Sequence, residues 1–203
     1  MPTPSSPILT TTSRLYISLL DPTNPRHSTF LFHCWTTPDF TTSCGPSAFK
    51  TPADATQFLT TRVQTLYNTS NYTRGIFLLS LRPHPAATLQ ESVPIGTMSL
   101  MQGTPPDGYL CPDLGFVVLP EQSGRGYATE AGRALVAYAC EELGVAGVFG
   151  FCEMGNARSR RVLEKIGLEF RGEKELRVFG GKRSAVYALS GMERDLRIYG
   201  VDD

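Results

Sequence analysis

The residues with the clearest chemical potential are two glycines separated by one residue, Gly124 and Gly126, in the run Ser123-Gly124-Arg125-Gly126-Tyr127-Ala128-Thr129-Glu130-Ala131. An apolar stretch, Leu114 to Leu119, precedes the run, and apolar residues at helical spacing, Ala128, Ala131, Leu135 and Ala139, follow it. A turn from strand into helix leaves the first backbone N–H groups of the helix without intrahelical partners, and these point outward with the positive end of the helix dipole. Such a nest binds phosphate. Glycine adopts torsions that other residues resist and keeps side chains out of the path of a pyrophosphate. Each N–H to phosphate bond contributes roughly 1.5–3 kcal/mol, because the acceptor is charged. Two rival readings exist: a tight turn that binds nothing, and the dinucleotide turn of an oxidoreductase. Against the second, Thr129 stands where a third glycine belongs, and the turn falls after more than half of the chain.

Other chemically capable side chains are dispersed. His27, His33 and His84 show no ligand spacing, so no metal site is expected. Cys34, Cys44, Cys111, Cys140 and Cys152 are odd in number and form no Cys-x-x-Cys pair, which argues against a disulfide framework and fits a reducing compartment.

The elements that must position the turn follow from periodicity. Met1 to Thr12 is rich in Pro, Ser and Thr and reads as a flexible tail, leaving 13–203 as a single domain. Leu15, Ile17 and Leu19 alternate as in a half-buried strand. Pro22, Pro25, Pro38 and Pro46 restrict the next stretch to a short helix near His27 to Trp35 and an irregular loop. Thr51-Pro52-Ala53-Asp54 is a helix entry, continued by Ala55, Leu59, Val63 and Leu66. Ile76 to Leu81 and Val93 to Met101 read as two strands. Leu114 to Leu119 is apolar on both parities, as in a central strand covered on both faces. After the long helix, Val145 to Cys152 reads as a strand, and Asn156 caps a short helix ended by Gly167. Glu173 to Phe179 and Ser184 to Met192 read as strands around Gly180-Gly181. The order implies an α/β layered fold.

The 203 residues, 41% hydrophobic, suffice for one domain, and the 19 basic and 19 acidic residues cancel. No surplus charge draws the chain to nucleic acid or an anionic membrane, so a small-molecule or protein-chain substrate is expected. The start lacks a charged segment followed by an apolar one, and no uncharged run is long enough to span a bilayer. A soluble, cytoplasmic protein is expected.

Three segments taken together carry a resemblance: Gly115-Phe116-Val117-Val118-Leu119-Pro120-Glu121, the turn from Gly124 to Ala131, and Asn156-Ala157-Arg158-Ser159-Arg160-Arg161-Val162-Leu163-Glu164-Lys165-Ile166-Gly167-Leu168. They resemble the GNAT superfamily of N-acetyltransferases, most of all the branch that acetylates the N-termini of ribosomal proteins. The resemblance implies a central mixed, mostly antiparallel sheet of about six or seven strands flanked by about four helices. It implies acetyl-CoA as co-substrate and a primary amine as acceptor, on a protein N-terminus or a small molecule, attacking directly in a ternary complex. The N–H groups of Gly124, Arg125, Gly126, Tyr127, Ala128 and Thr129 are then expected to hold the CoA pyrophosphate. Phe116, Val117 and Val118 would pair with the pantetheine arm like an added strand, and the N–H of Val117 or Val118 would polarise the thioester carbonyl. The family turn often opens with Gln or Arg; Ser123 departs from this.

The resemblance and the positions of individual residues together suggest the remaining roles. A tyrosine often serves as proton donor in such enzymes, but Leu163 occupies its position, so Ser159 becomes the expected donor to the departing thiolate. Asn156 is expected to bond pantetheine, to cap its helix, or both. Asp113 and Glu153 are the candidate general bases. An α-amine of pKa about 7.7–8.0 costs only about 1 kcal/mol to neutralise at pH 7, against about 4.6 for lysine, so a weak base favours an α-amine. Arg158, Arg160, Arg161 and Lys165 either reach CoA phosphates or form a solvated face. Trp35 and Phe40 either line an acceptor pocket or pack in the core. The lost tyrosine also leaves open a module that binds acyl-CoA without catalysis.

Overall fold

In the computed structural model, which describes residues 6–104, 106 and 108–201, the chain opens with a strand. β1 (Ile8–Thr11) pairs antiparallel with β2 (Leu15–Leu19), with an irregularity between Ile8 and Thr10. Residues 8–11 therefore differ from the expected flexible tail. Their backbone groups find partners on β2, a long-range gain that Pro and Ser neighbours conceal in the sequence. Residues 1–5 of that tail lie outside the described residues.

Helix α1 (Pro25–Trp35) starts where Asn24 accepts the N–H of Arg26. A second helix, α2 (Pro38–Cys44), replaces the expected loop; Thr37 caps it by accepting the N–H of Phe40, and Pro38 occupies its first turn. None of its residues is fully buried, so no apolar period announces it. α3 (Pro52–Phe58) begins on a full capping box between Thr51 and Asp54, and runs through a π-turn at Leu59–Val63 into α4 (Gln64–Thr69). β3 (Gly75–Leu81), β4 (Val93–Met101) and β5 (Asp113–Val118) follow, then α5 (Tyr127–Glu141), β6 (Phe149–Cys152), α6 (Ala157–Ile166), β7 (Leu168–Leu176) and β8 (Lys182–Leu189). The strands form one eight-stranded sheet in the order β1-β2-β3-β4-β5-β6-β8-β7, one or two more than expected within the anticipated α/β fold.

Two compact units divide the chain. One holds the residues up to Ser99 and Phe116–Ala131; the other holds Leu100–Gly115 and the residues from Gly132 onward. In the first, β2 and β3 pair antiparallel from Leu15↔Leu81 to Leu19↔Phe77. Leu15, Ile17, Leu31, Ala55, Leu59, Phe77 and Leu79 are fully buried there. Each large aliphatic or aromatic side chain so buried contributes about 1.5–3 kcal/mol. The Tyr67 hydroxyl donates to the Ile76 carbonyl and accepts the N–H of Leu20 at 3.0 Å, tying α4 to β3 and to the residue that follows β2.

In the second unit, β5 runs parallel to β6 through Asp113↔Phe149 and Leu114↔Gly150, while β8 is antiparallel to β6 and to β7. β7 begins at Leu168, five residues earlier than expected, because a register shift between Phe170 and Glu173 interrupts its alternation. Phe149, Leu176, Val186 and Ala188 form the core of this unit with Tyr109 and Met192. No helix among the described residues is long and apolar enough to cross a membrane.

Candidate functional site

β5 ends in the first unit at Val118, and the chain turns at once. Leu119 donates its N–H to Ile95 of β4 at 2.9 Å, and a short 3-10 turn, Pro120–Gln122, leads to Ser123. β4 approaches β5 closely at Gly96, where a Cβ would stand 2.2 Å from the Val117 carbonyl oxygen. Gly124 and Gly126 have φ of +78° and +82°, in the left-handed region that favours glycine. A Cβ at Gly124 would meet no atom within 4 Å, so the turn presents an open face there. The bond from the Glu130 N–H to the Gly126 carbonyl, 3.0 Å, belongs to the opening turn of α5. The N–H groups of Tyr127, Ala128 and Thr129 precede it and have no helical acceptor, the geometry that holds a phosphate.

Arg14, which sequence reasoning did not single out, braces this turn. Its Nε donates to Glu130 Oε2 at 2.7 Å, its Nη1 donates to the Arg125 carbonyl at 3.3 Å, and its guanidinium lies 4.7 Å from the centre of the Tyr127 ring. The Thr12 hydroxyl donates to the other Glu130 oxygen. Desolvation alone would raise the Glu130 carboxyl, but the hydrogen bonds from Thr12 and Arg14 and the Arg14 charge outweigh it, and the group titrates below its ordinary range. An arginine more than a hundred residues upstream leaves no local signal; only the pairing of β2 into the sheet brings it here.

The first unit also holds Trp35 and Phe40. Trp35 stacks on Phe40 at 5.3 Å and on Phe49 at 5.7 Å, with Phe58 at its edge, and its Nε1–H donates to Thr97 Oγ1 at 3.1 Å. This is a packed aromatic cluster with its one polar atom satisfied.

Asp113, Glu153, Asn156 and Ser159 lie in the second unit. Asp113 retains some solvent-accessible surface, yet protein crowds its carboxyl, and desolvation pushes it up to about 7 against a backbone hydrogen bond that lowers it. Glu153 forms an exposed ion pair with Lys182. Asn156 Oδ1 accepts the N–H of Ser159 at 3.0 Å, so Asn156 does cap α6 and fixes the backbone of Ser159. Leu163 is buried against Gly150, where a Cβ would stand 2.5 Å from Leu163 Cδ2.

Of the basic residues on α6, Arg160 donates from Nε to the Tyr187 hydroxyl at 3.0 Å and lies over the Phe170 ring; the Tyr187 hydroxyl donates to Glu164 at 3.1 Å. Arg160 therefore has a packing role on β7 and β8. Burial is the main cause that pushes the Cys152 thiol up to about 11 and the Cys34 thiol to about 12. All five cysteines are free.

Comparison with known proteins converges on one family. Residues 18–169 match the acetyltransferase (GNAT) domain family. Over 60 residues the chain is 33% identical to the uncharacterized N-acetyltransferase YnaD of Bacillus subtilis, covering 30% of this chain and 35% of that protein. Over 56 residues it is 46% identical to FsC-acetyl coenzyme A-N(2)-transacetylase of Aspergillus fumigatus, covering 28% of this chain and 24% of that protein. These curated relatives are thus matched over about a third and a quarter of their own lengths. Among solved structures, RimL, a ribosomal alpha-N-protein acetyltransferase in complex with coenzyme A, superposes with a TM-score of 0.69 at 12% identity, covering 89% of this chain and 96% of that one. At that identity the likeness shows a shared fold.

Proposed function

The chain belongs to the acetyltransferase (GNAT) family, and from that premise we propose that it moves an acetyl group from acetyl-CoA to a primary amine by direct attack of the amine on the thioester. One observation carries this reading: the turn opening α5 has two glycines in the left-handed region and an open face at Gly124, beside the first N–H groups of the helix, which have no intrahelical acceptor. Backbone N–H groups from Gly124 to Thr129 take the CoA pyrophosphate. Phe116, Val117 and Val118 pair with the pantetheine arm, and the N–H of Val117 or Val118 polarises the thioester carbonyl.

The amine nitrogen then attacks the carbonyl carbon, forming a C–N bond as the C–S bond breaks. Asp113 takes the proton lost by the amine, and Ser159 gives one to the departing thiolate and regains it from solvent. A carboxyl near pKa 7 is about half ionised at neutral pH, which suits this role, whereas Glu153 is engaged with Lys182. The raised thiols of Cys34 and Cys152 favour direct attack over an acyl-cysteine intermediate. A base of this modest strength favours an α-amine acceptor over lysine, which accords with RimL being an alpha-N-protein acetyltransferase.

The test is release of free CoA from acetyl-CoA in the presence of a panel of amines and peptides. We expect release with acceptors bearing a free α-amine, and slower release with an Nα-blocked lysine peptide. Tight CoA binding with no release across the panel would replace catalysis with a binding role. Binding of a nicotinamide dinucleotide in place of CoA would overturn the reading.

A further inference from the structure

A cavity of about 490 Å³ lies in the first unit, and none of the residues of the turn at Ser123 to Ala131 lines it. We infer that it is a second small-molecule site, for an uncharged compound with an apolar body and a hydrogen-bonding head such as a carboxamide. Two buried hydroxyls carry this inference. Ser18 on β2 and Ser80 on β3 are each 1% exposed, and neither side-chain oxygen has a hydrogen-bond partner. Both line the cavity.

The register Tyr16↔Ser80 and Ser18↔Leu78 puts the two serines on the same face of the sheet as diagonal neighbours. A buried hydroxyl without a partner is disfavoured and uncommon, and here two stand together facing the same space. Leu20, Leu78, Leu89 and Pro94 supply apolar wall. Of the other polar groups lining the cavity, Arg26 and Gln90 are exposed to solvent, and Asp21, His27 and Gln64 are engaged locally. Asp21 accepts from Thr23, His27 Nδ1 accepts the Asp21 N–H, and the Gln64 amide donates to Asn68 and Tyr72. The hydroxyl pair is thus the recognition element, and having no charge it calls for a neutral head group that both donates and accepts.

The probes are benzamide and, as a control of similar shape without the head, toluene, each titrated into the full-length protein while backbone amide resonances are followed by NMR. Benzamide should shift Leu20, Leu78 and Ser80 saturably, and bind about two- to ten-fold more tightly than toluene. In the doubly substituted Ser18→Ala/Ser80→Ala protein that preference should vanish while toluene binding persists, and the thermal midpoint should hold or rise, since no hydrogen bond is lost. Equal affinity for the two probes, shifts elsewhere, or a midpoint falling by several degrees would overturn the inference; the last would mean that ordered water already satisfies the hydroxyls. The assay needs neither CoA nor turnover, so its outcome is independent of the acetyl-transfer reading.

Discussion

Arg14 Nε donates to Glu130 Oε2 across 2.7 Å, so a residue from the segment leading into β2 holds the first turn of α5 from outside the helix. The pair neutralises a carboxylate that would otherwise stand beside the proposed diphosphate site, and the guanidinium adds a cation over Tyr127.

Arg14→Ala should therefore weaken CoA binding about five-fold, the scale of one partly exposed charge pair. Glu130→Gln on the Arg14→Ala background should recover most of that loss, because the unpaired carboxylate is gone. Calorimetric titration of CoA into the four proteins of this double-mutant cycle measures the coupling.

Gly126→Ala should cost roughly 1–2 kcal/mol of stability, because a Cβ disfavours its φ of +82°, and should lower CoA affinity as the turn shifts. Gly144→Ala, at φ +63°, imposes comparable strain in the other unit and should leave CoA affinity unchanged. Urea unfolding combined with CoA titration separates strain from site.

Asp113→Asn should abolish the rising limb of the pH dependence of kcat/KM, expected near pH 7 in the wild type. Stability follows the same group. Its folded pKa is raised above the ordinary 3.8, so its stabilising contribution is complete below about pH 4 and is lost as pH rises through about 7. The Asn variant should gain on the wild type in thermal midpoint between pH 5 and pH 8. Parallel pH profiles would exclude Asp113 as the base.

Ser159→Ala should lower kcat by roughly 10²-fold with little change in acetyl-CoA affinity, since the Asn156 cap on the Ser159 N–H survives. Asn156→Ala, by contrast, should destabilise α6 by about 1 kcal/mol. Steady-state kinetics and thermal unfolding distinguish the two.

The elements that carry the turn were legible because local chemistry specifies them: the Thr51 capping box, the apolar run of Leu114 to Leu119, and the glycine that ends α6 all act within a few residues, although β5 is only half-buried from Gly115 to Val118 instead of covered on both faces. β1 and α2 were hidden, one because its stability comes from pairing with β2 and the other because none of its residues is fully buried. The Arg14 brace and the Ser18–Ser80 pair depend on strand register, which periodicity alone does not reveal. Charge was also misleading on α6, where Arg160 serves Tyr187 and Phe170 through contacts that only the folded sheet creates.

The central claim is that backbone N–H groups at the opening of α5 bind the diphosphate of coenzyme A. Amide NMR of the whole chain, titrated with CoA and in parallel with pantetheine, which lacks the diphosphate, tests it most directly. The account predicts saturable shifts at Gly124 through Thr129 with CoA and none there with pantetheine. CoA that binds while those six amides stay unmoved would contradict it.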